Sequence, residues 1–275
     1  MKAFDESLQE GVRLIVLGAL QGITEFLPVS SSAHLALLPQ FLDWQDQGQG
    51  IDVFLNIGTL VVLCLYLFRE ICALAKGAWD IILKRKTHDQ VFFWQVIVAS
   101  LPVIVVGGII ELCFESRPNN PVLLAATTGI FSLLLFLCDR VSQRFVLCRH
   151  QGSVVDALIV GCAQVCALVP GASRLGVCLS AMRFLGYTRL EAFRFSMLLS
   201  MPSVLGALTL KSVKVFTKGL ILPWASIANG SIVAFLCGIL VFWGMSHWLK
   251  KNGTFTPFVV YRVLLAILLC CARSH

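Results

Sequence analysis

The chain has 275 residues, 57% of them hydrophobic and 13% charged, with a formal net charge of +7. A soluble domain carries about 25% charged residues, so this composition, with a mean hydropathy of +0.84, excludes an ordinary water-soluble fold and points to a lipid solvent. The positive balance is the Lys and Arg excess that orients a polytopic protein in a bilayer, as in Lys84, Arg85 and Lys86 between two apolar runs, and no nucleic-acid partner is expected.

The N-terminal region carries Asp5, Glu6 and Glu10, whereas a secretory signal starts basic, so the first apolar segment is expected to be retained. That segment, 11–42, is broken in its middle by Pro28 and small polar residues. Uninterrupted apolar runs follow at 53–69, 91–111 and 121–138; a second broken run covers 155–187; three more runs cover 195–211, 223–246 and 256–272. Six of these are near the 17–25 residues a helical crossing needs, the shortest at its lower limit. The broken pair fit a helix, a mid-membrane loop and a returning helix, since irregular backbone survives there only where protein or water satisfies it. The eleven cysteines lie mostly inside apolar runs, as Cys64, Cys138, Cys162, Cys237 and Cys270 do, with no CxxC spacing. They read as small hydrophobes, and neither disulfides nor a cysteine-bound metal is expected.

The broken runs resemble each other. GALQGITEFLPVSSS (18–32) lies over GCAQVCALVPGASR (161–174) with one gap, pairing Gly18 with Gly161, Gln21 with Gln164, Pro28 with Pro170 and Ser31 with Ser173. Downstream, Trp94 roughly matches Trp224, and Pro121 opens a helix as Pro257 does. The expected fold is an all-α integral membrane protein with an inverted-topology repeat, six transmembrane helices and two re-entrant helix-loop-helix hairpins. The first repeat covers 1–140 and the second 153–275, in one membrane domain. Three crossings per half is odd, so the second half inserts upside down, and the site is expected where the hairpins meet. Lys76, Arg85, Arg144, Arg149, Arg189 and Lys250 concentrate in loops 70–90, 139–153, 183–194 and 247–252. Those loops are therefore expected on the cytoplasmic side, with Asp43, Asp46 and Asp52 outside; Lys211, Lys214 and Lys218 run against that rule. Hairpin one would enter from outside and hairpin two from the cytoplasm.

Gln21 and Glu25 are four apart, on one helix face. Pro28 ends that half-helix, and Ser30 or Ser31 is suited to cap the next. His34 follows Ser31 by one turn, placing imidazole and hydroxyl within reach. In the other hairpin PGASRLG gives a turn followed by Arg174, whose backbone N–H groups favour anions. An uncompensated charge at the bilayer centre costs ~2.5–3.5 kcal/mol, so both charges need a reason. One is an ion pair that merely locks the hairpins. The other is phosphate chemistry: arginine forks onto phosphate oxygens, a serine beside a base attacks phosphorus, and a carboxylate holds a divalent cation or works as acid or base. A site inside the membrane implies a lipid that carries the phosphate.

QGITEFLPVSSSAH with PGASRLG, and the late FTPFVVYR, resemble the motifs of the undecaprenyl-diphosphate phosphatase family, the bacitracin-resistance proteins, in order and spacing over essentially the whole chain. The resemblance implies a multi-pass enzyme of the bacterial inner membrane, surrounded by membrane lipids, with its site facing outward. It would convert undecaprenyl diphosphate to the monophosphate carrier for cell-wall synthesis, using a loosely held divalent cation, Mg²⁺ or Ca²⁺. By matched position the catalytic residues are Glu25, also the metal ligand, Ser31, His34 and Arg174. Gln21, Ser30, Gly171, Ser173, Gly176 and Asn56 are the expected substrate contacts, Asn56 serving equally well as a helix-packing amide. Ser31 activated by His34 is the first choice of nucleophile and His34 itself the second. Gln21 departs from the motif's first glutamate, Leu175 from its second serine and Cys178 from a threonine. Arg262 is expected to snorkel to the cytoplasmic interface; Trp44, Trp79 and Trp248 read as belt residues; His88, His150 and His275 have no partner spacing. The rival reading is a transporter or flippase of an isoprenoid phosphate lipid, which needs no nucleophile. Either reading leaves room for a homodimer.

Overall fold

The computed structural model describes residues 2–44, 47–113, 120–144, 152–220 and 222–271. Asp46, Arg149, His150 and His275, singled out above, lie outside them. Every regular element among the described residues is a helix: α1 (Lys2–Glu25), α2 (Ser31–Phe41), α3 (Gly48–Tyr66), α4 (Phe68–Ile82), α5 (His88–Cys113), α6 (Pro121–Arg144), α7 (Val154–Val165, continued by a 3₁₀ turn Cys166–Leu168), α8 (Arg174–Phe184), α9 (Arg189–Lys218), α10 (Trp224–Lys250) and α11 (Thr256–Cys271). By length and composition α5, α6, α9 and α10 can each cross a membrane, and α3 with α4 makes a fifth candidate bent by 78°. α11 is a shorter apolar helix of 16 residues. The outside of the bundle is apolar, as at Ile130, Leu133 and Leu137 on α6 and Leu236, Leu240 and Trp243 on α10, while Thr128, Ser132, Ser196 and Ser200 are buried. Apolar residues outside and polar ones within are what a lipid solvent selects, and the chain is a multi-pass α-helical membrane protein.

α1 packs against α10, α7 against α5, α6 against α11, and α3 against α9 and α10. Small residues permit the first two contacts. A Cβ on Gly18 would stand 2.1 Å from the Gly230 carbonyl oxygen, and one on Gly161 would stand 2.5 Å from that of Ala99. Without a hydrophobic force between helices in lipid, such backbone approach supplies the dispersion that holds them. Helix starts at the polar ends are locally encoded: Ser153 with Asp156 and Thr188 with Glu191 form capping boxes, satisfying orphan N–H groups. Asp139 ties α6 to the end of α8 and the start of α9, accepting from Arg183 at 2.8 Å and Arg189 at 2.9 Å.

Three expectations change. The span written as 53–69 ends at Tyr66, and most of the loop written as 70–90 is α4 and the first turn of α5; Gly77 lets α4 close onto the Asp89 backbone, a contact that no local pattern encodes. The two breaks correspond at Ser30 and Ser173, one residue off the sequence alignment. Each is the residue before its helix, at φ 73° and 67°, a region costly for non-glycine residues. Arg262 does not snorkel. It is fully buried and donates to the carbonyls of Pro28 at 3.3 Å, Gly171 at 2.9 Å and Ala172 at 3.2 Å. The broken backbone leaves carbonyls without helical partners, and a buried guanidinium is what satisfies them.

Candidate active site

Two interrupted helices build the site. α1 ends at Glu25 and the chain restarts at Ser31; α7 ends in its 3₁₀ turn and the chain restarts at Arg174. Ser173 caps α8, its hydroxyl accepting from the Gly176 N–H at 3.2 Å. Ser30 occupies the same position on α2 without a side-chain cap bond, its hydroxyl lying 3.3 Å from that of Ser32. Gly171 sits at φ 87°, and a Cβ there would lie 2.4 Å from Thr127 Oγ1, which donates to the Pro170 carbonyl at 2.6 Å.

Glu25 is the hub. One carboxylate oxygen, Oε1, is ion-paired with Arg174 Nη2. The other, Oε2, accepts from the Ser31 hydroxyl at 2.7 Å and from Gln21 Nε2 at 3.0 Å. Arg174 also donates to the Ser200 carbonyl at 3.3 Å. The ion pair foreseen as a purely structural explanation is therefore present, but it is not isolated. A cavity of about 790 Å³ is walled by Gln21, Glu25, Ser30, Ser31, Asn56, Ser173 and Arg174, with Val103, Ile104 and Leu210 among its apolar residues. Asp52, Glu111 and Lys211 also line it. A few placed polar groups among apolar ones are the usual form of a small-molecule site.

The expected Ser31–His34 pair does not form. His34 Nδ1 donates to the Ser30 carbonyl at 2.8 Å, and its Nε2 lies 2.6 Å from the Tyr261 hydroxyl. In a helix long side chains lean back toward the N-terminus, which carries this imidazole to the carbonyl four residues earlier while Ser31 turns to Glu25. His34, Gly171 and Gly176 stand outside the cavity wall. Leu175 is buried, as is Cys178, whose thiol meets Gln164 Oε1 at 3.6 Å. Tyr261 and Thr127 went unnoticed in the sequence. An arginine in an apolar helix is by default a functional hypothesis, and that default was the usable clue to Arg262.

The residues present can be tested for a cation. Gln21 Nε2 donates to both Glu25 and Asn56 Oδ1, the latter at 2.8 Å, which fixes the amide orientation. Gln21 Oε1 is then a buried acceptor with no hydrogen-bond partner, on a side chain that lines the cavity beside Glu25. No group of three or more His, Cys, Asp or Glu side chains assembles among the described residues. One carboxylate and one amide oxygen suit a loosely held hard cation whose remaining ligands are water and substrate phosphate.

Fold and site together define a multi-pass membrane protein that presents a serine, a carboxylate and an arginine to one cavity. Comparison with known proteins agrees in class. The family model described as "Bacitracin resistance protein BacA" matches residues 14–268. An undecaprenyl-diphosphatase of Marinobacter nauticus is 38% identical over 255 residues, 92% of this chain and 95% of the relative. One of Chromohalobacter salexigens is 38% identical over 261 residues, 94% and 97% of the two chains, and one of Campylobacter curvus is 38% identical over 264 residues with the same coverage. The chain belongs to the bacitracin resistance protein BacA family.

Proposed function

We propose that the chain hydrolyses undecaprenyl diphosphate to undecaprenyl phosphate and phosphate, returning the lipid carrier to cell-wall synthesis. The observation that carries the chemistry is the Ser31 hydroxyl 2.7 Å from Glu25 Oε2, with Arg174 on the other carboxylate oxygen. In this reading Ser31 Oγ attacks the terminal phosphorus and its proton passes to Glu25. The bond from that phosphorus to the bridging oxygen breaks, and undecaprenyl phosphate leaves, taking the proton from Glu25. Water then attacks the phosphoserine; Glu25 accepts its proton and returns it to Ser31 as phosphate departs. Arg174 and the N–H groups at the start of α8 face the equatorial oxygens, where preorganised donors are worth most. An entering phosphate offers Arg174 a second acceptor beside Glu25 Oε1. Gln21 Oε1 and Glu25 would hold Mg²⁺ or Ca²⁺, which when bound would neutralise diphosphate charge.

The same reading includes six crossings in two inverted halves, 1–140 and 153–275, each opening with a re-entrant hairpin. Exchanged partners support it: α1 of the first half packs on α10 of the second, and α7 of the second on α5 of the first. Gln21 bonds Asn56 on α3 just as Gln164 bonds Ser203 on α9, at 2.8 and 2.7 Å. The basic loops lie on the cytoplasmic side of the inner membrane and the site faces outward. Lys211 and Lys214, which run against the charge rule, both pair with Glu111 at 2.8 Å, which weakens their vote.

The test is phosphate release from undecaprenyl diphosphate by the detergent-purified protein, with and without divalent cation, beside Ser31→Ala. Release by the parent and a loss of about a thousandfold or more in the variant, with lipid binding retained, is the expected result. Lipid binding without release by the folded parent would overturn the hydrolase and favour a carrier. Unchanged release by Ser31→Ala would remove Ser31 as nucleophile.

A further inference from the structure

Two consecutive residues of α11 reach both interrupted helices. Arg262 satisfies carbonyls at each break. Tyr261, beside it, closes on His34 from a position 227 residues away in sequence, with the two rings 5.7 Å apart and within 10° of parallel. His34 in turn holds the Ser30 carbonyl, and Ser30 carries the left-handed conformation that aims the next residue, Ser31, at Glu25.

The hydrogen bonds fix the tautomer. A backbone carbonyl only accepts, so His34 Nδ1 carries hydrogen. In the neutral ring Nε2 is then a bare acceptor, and the Tyr261 hydroxyl donates to it. With both ring nitrogens engaged and the imidazole outside the cavity wall, His34 has no free lone pair for Ser31. We infer that Tyr261 is a positioning residue for the reacting serine, acting through the Nδ1–H tautomer of His34 on the Ser30 carbonyl. This rests on Ser31 as the reacting group. Without the Tyr261 hydroxyl, imidazole is free to place its proton on Nε2. In that fraction of molecules the 2.8 Å side-chain donor to Ser30 is lost, the carbonyl keeps only the 3.3 Å bond from the His34 backbone N–H, and Ser31 drifts from its aim.

The test combines a spectroscopic and a kinetic arm. Imidazole ¹⁵N spectra of histidine-labelled protein in detergent, with the His34 resonances identified by difference against His34→Asn, report the tautomer directly. The parent is expected in the Nδ1–H form and Tyr261→Phe in a mixture enriched in Nε2–H. In turnover, Tyr261→Phe should lower kcat about tenfold to a hundredfold, as small misplacements of a reacting group do, with KM within about twofold. The amide nitrogen of asparagine stands where Nδ1 does and that of glutamine where Nε2 does. His34→Asn should therefore keep about a tenth or more of the parent kcat, while His34→Gln falls as far as His34→Ala. An Nε2–H parent, or spectra indifferent to Tyr261→Phe, would overturn the inference whatever the turnover. So would His34→Asn falling as far as His34→Ala, since the imidazole would then itself be reacting. If Ser31→Ala still releases phosphate, the serine reading fails separately while the tautomer result stands.

Discussion

Ser31 and Glu25, six residues apart, share a 2.7 Å hydrogen bond across the break between α1 and α2. Six residues of continuous helix would leave their side chains about 120° apart around the axis, so the contact exists only because the helix stops at Glu25 and restarts at Ser31. In the proposed reaction this bond carries the serine proton to its base. It also makes Glu25 the residue through which Gln21, Ser31 and Arg174 all communicate.

Glu25→Gln should therefore lower both turnover and stability. An amide can still bond Ser31 but cannot take its proton, and general-base losses run to about 10²–10⁴-fold. Arg174 would also lose its counter-charge, and leaving one member of a buried pair alone destabilises by roughly 3–5 kcal/mol, a figure to be discounted here because Arg174 is partly exposed. Turnover and melting temperature in the same detergent should both fall. Parent-like turnover would show that another group takes the proton.

Gln21→Glu restores a second carboxylate beside Glu25, replacing the buried and unpartnered Oε1 with a charged ligand. Without cation the like charges repel and the melting temperature should drop. With Mg²⁺ or Ca²⁺ the apparent cation affinity should rise, read as a lower half-saturating concentration in both phosphate release and thermal shift. Indifference to cation in both the parent and Gln21→Glu would place the ion elsewhere.

Arg262→Met removes the donors to three buried carbonyls. The Gly171 carbonyl keeps Thr128 Oγ1 at 3.4 Å; an acceptor left with no donor costs about 1–3 kcal/mol, so the melting temperature should fall by several degrees or more. Lysine, with one compact ammonium in place of a planar fork, should recover only part of the loss. If methionine is tolerated without a shift, the breaks are held by other bonds.

Gly18→Ala and Gly161→Ala should each destabilise strongly, because the added Cβ meets backbone oxygen at 2.1 and 2.5 Å, and backbone cannot rotate away. Gly244→Ala, whose Cβ would meet nothing within 4 Å, should be neutral or slightly stabilising through helix propensity. Measuring the three melting temperatures side by side separates helix approach from a general intolerance of alanine.

Much was legible in the chain itself. Hydropathy set the solvent and hence the all-helical class, Pro28 and Pro170 marked the breaks, and spacing put Gln21 and Glu25 on one face, where they are hydrogen-bonded at 3.0 Å. These follow from period and composition, which act over a few residues and need no knowledge of the partner helix. Tertiary structure decided the rest. It sent Ser31 to Glu25 and His34 to Tyr261, drew Arg262 inward to the carbonyls of both breaks, brought Arg174 to Glu25 across 149 residues, and folded 68–82 into a helix against α5. Where a helix stops, its periodicity stops with it. The direction of the next side chain is then set by whichever distant group satisfies the freed backbone, and sequence alone does not reveal which group that is.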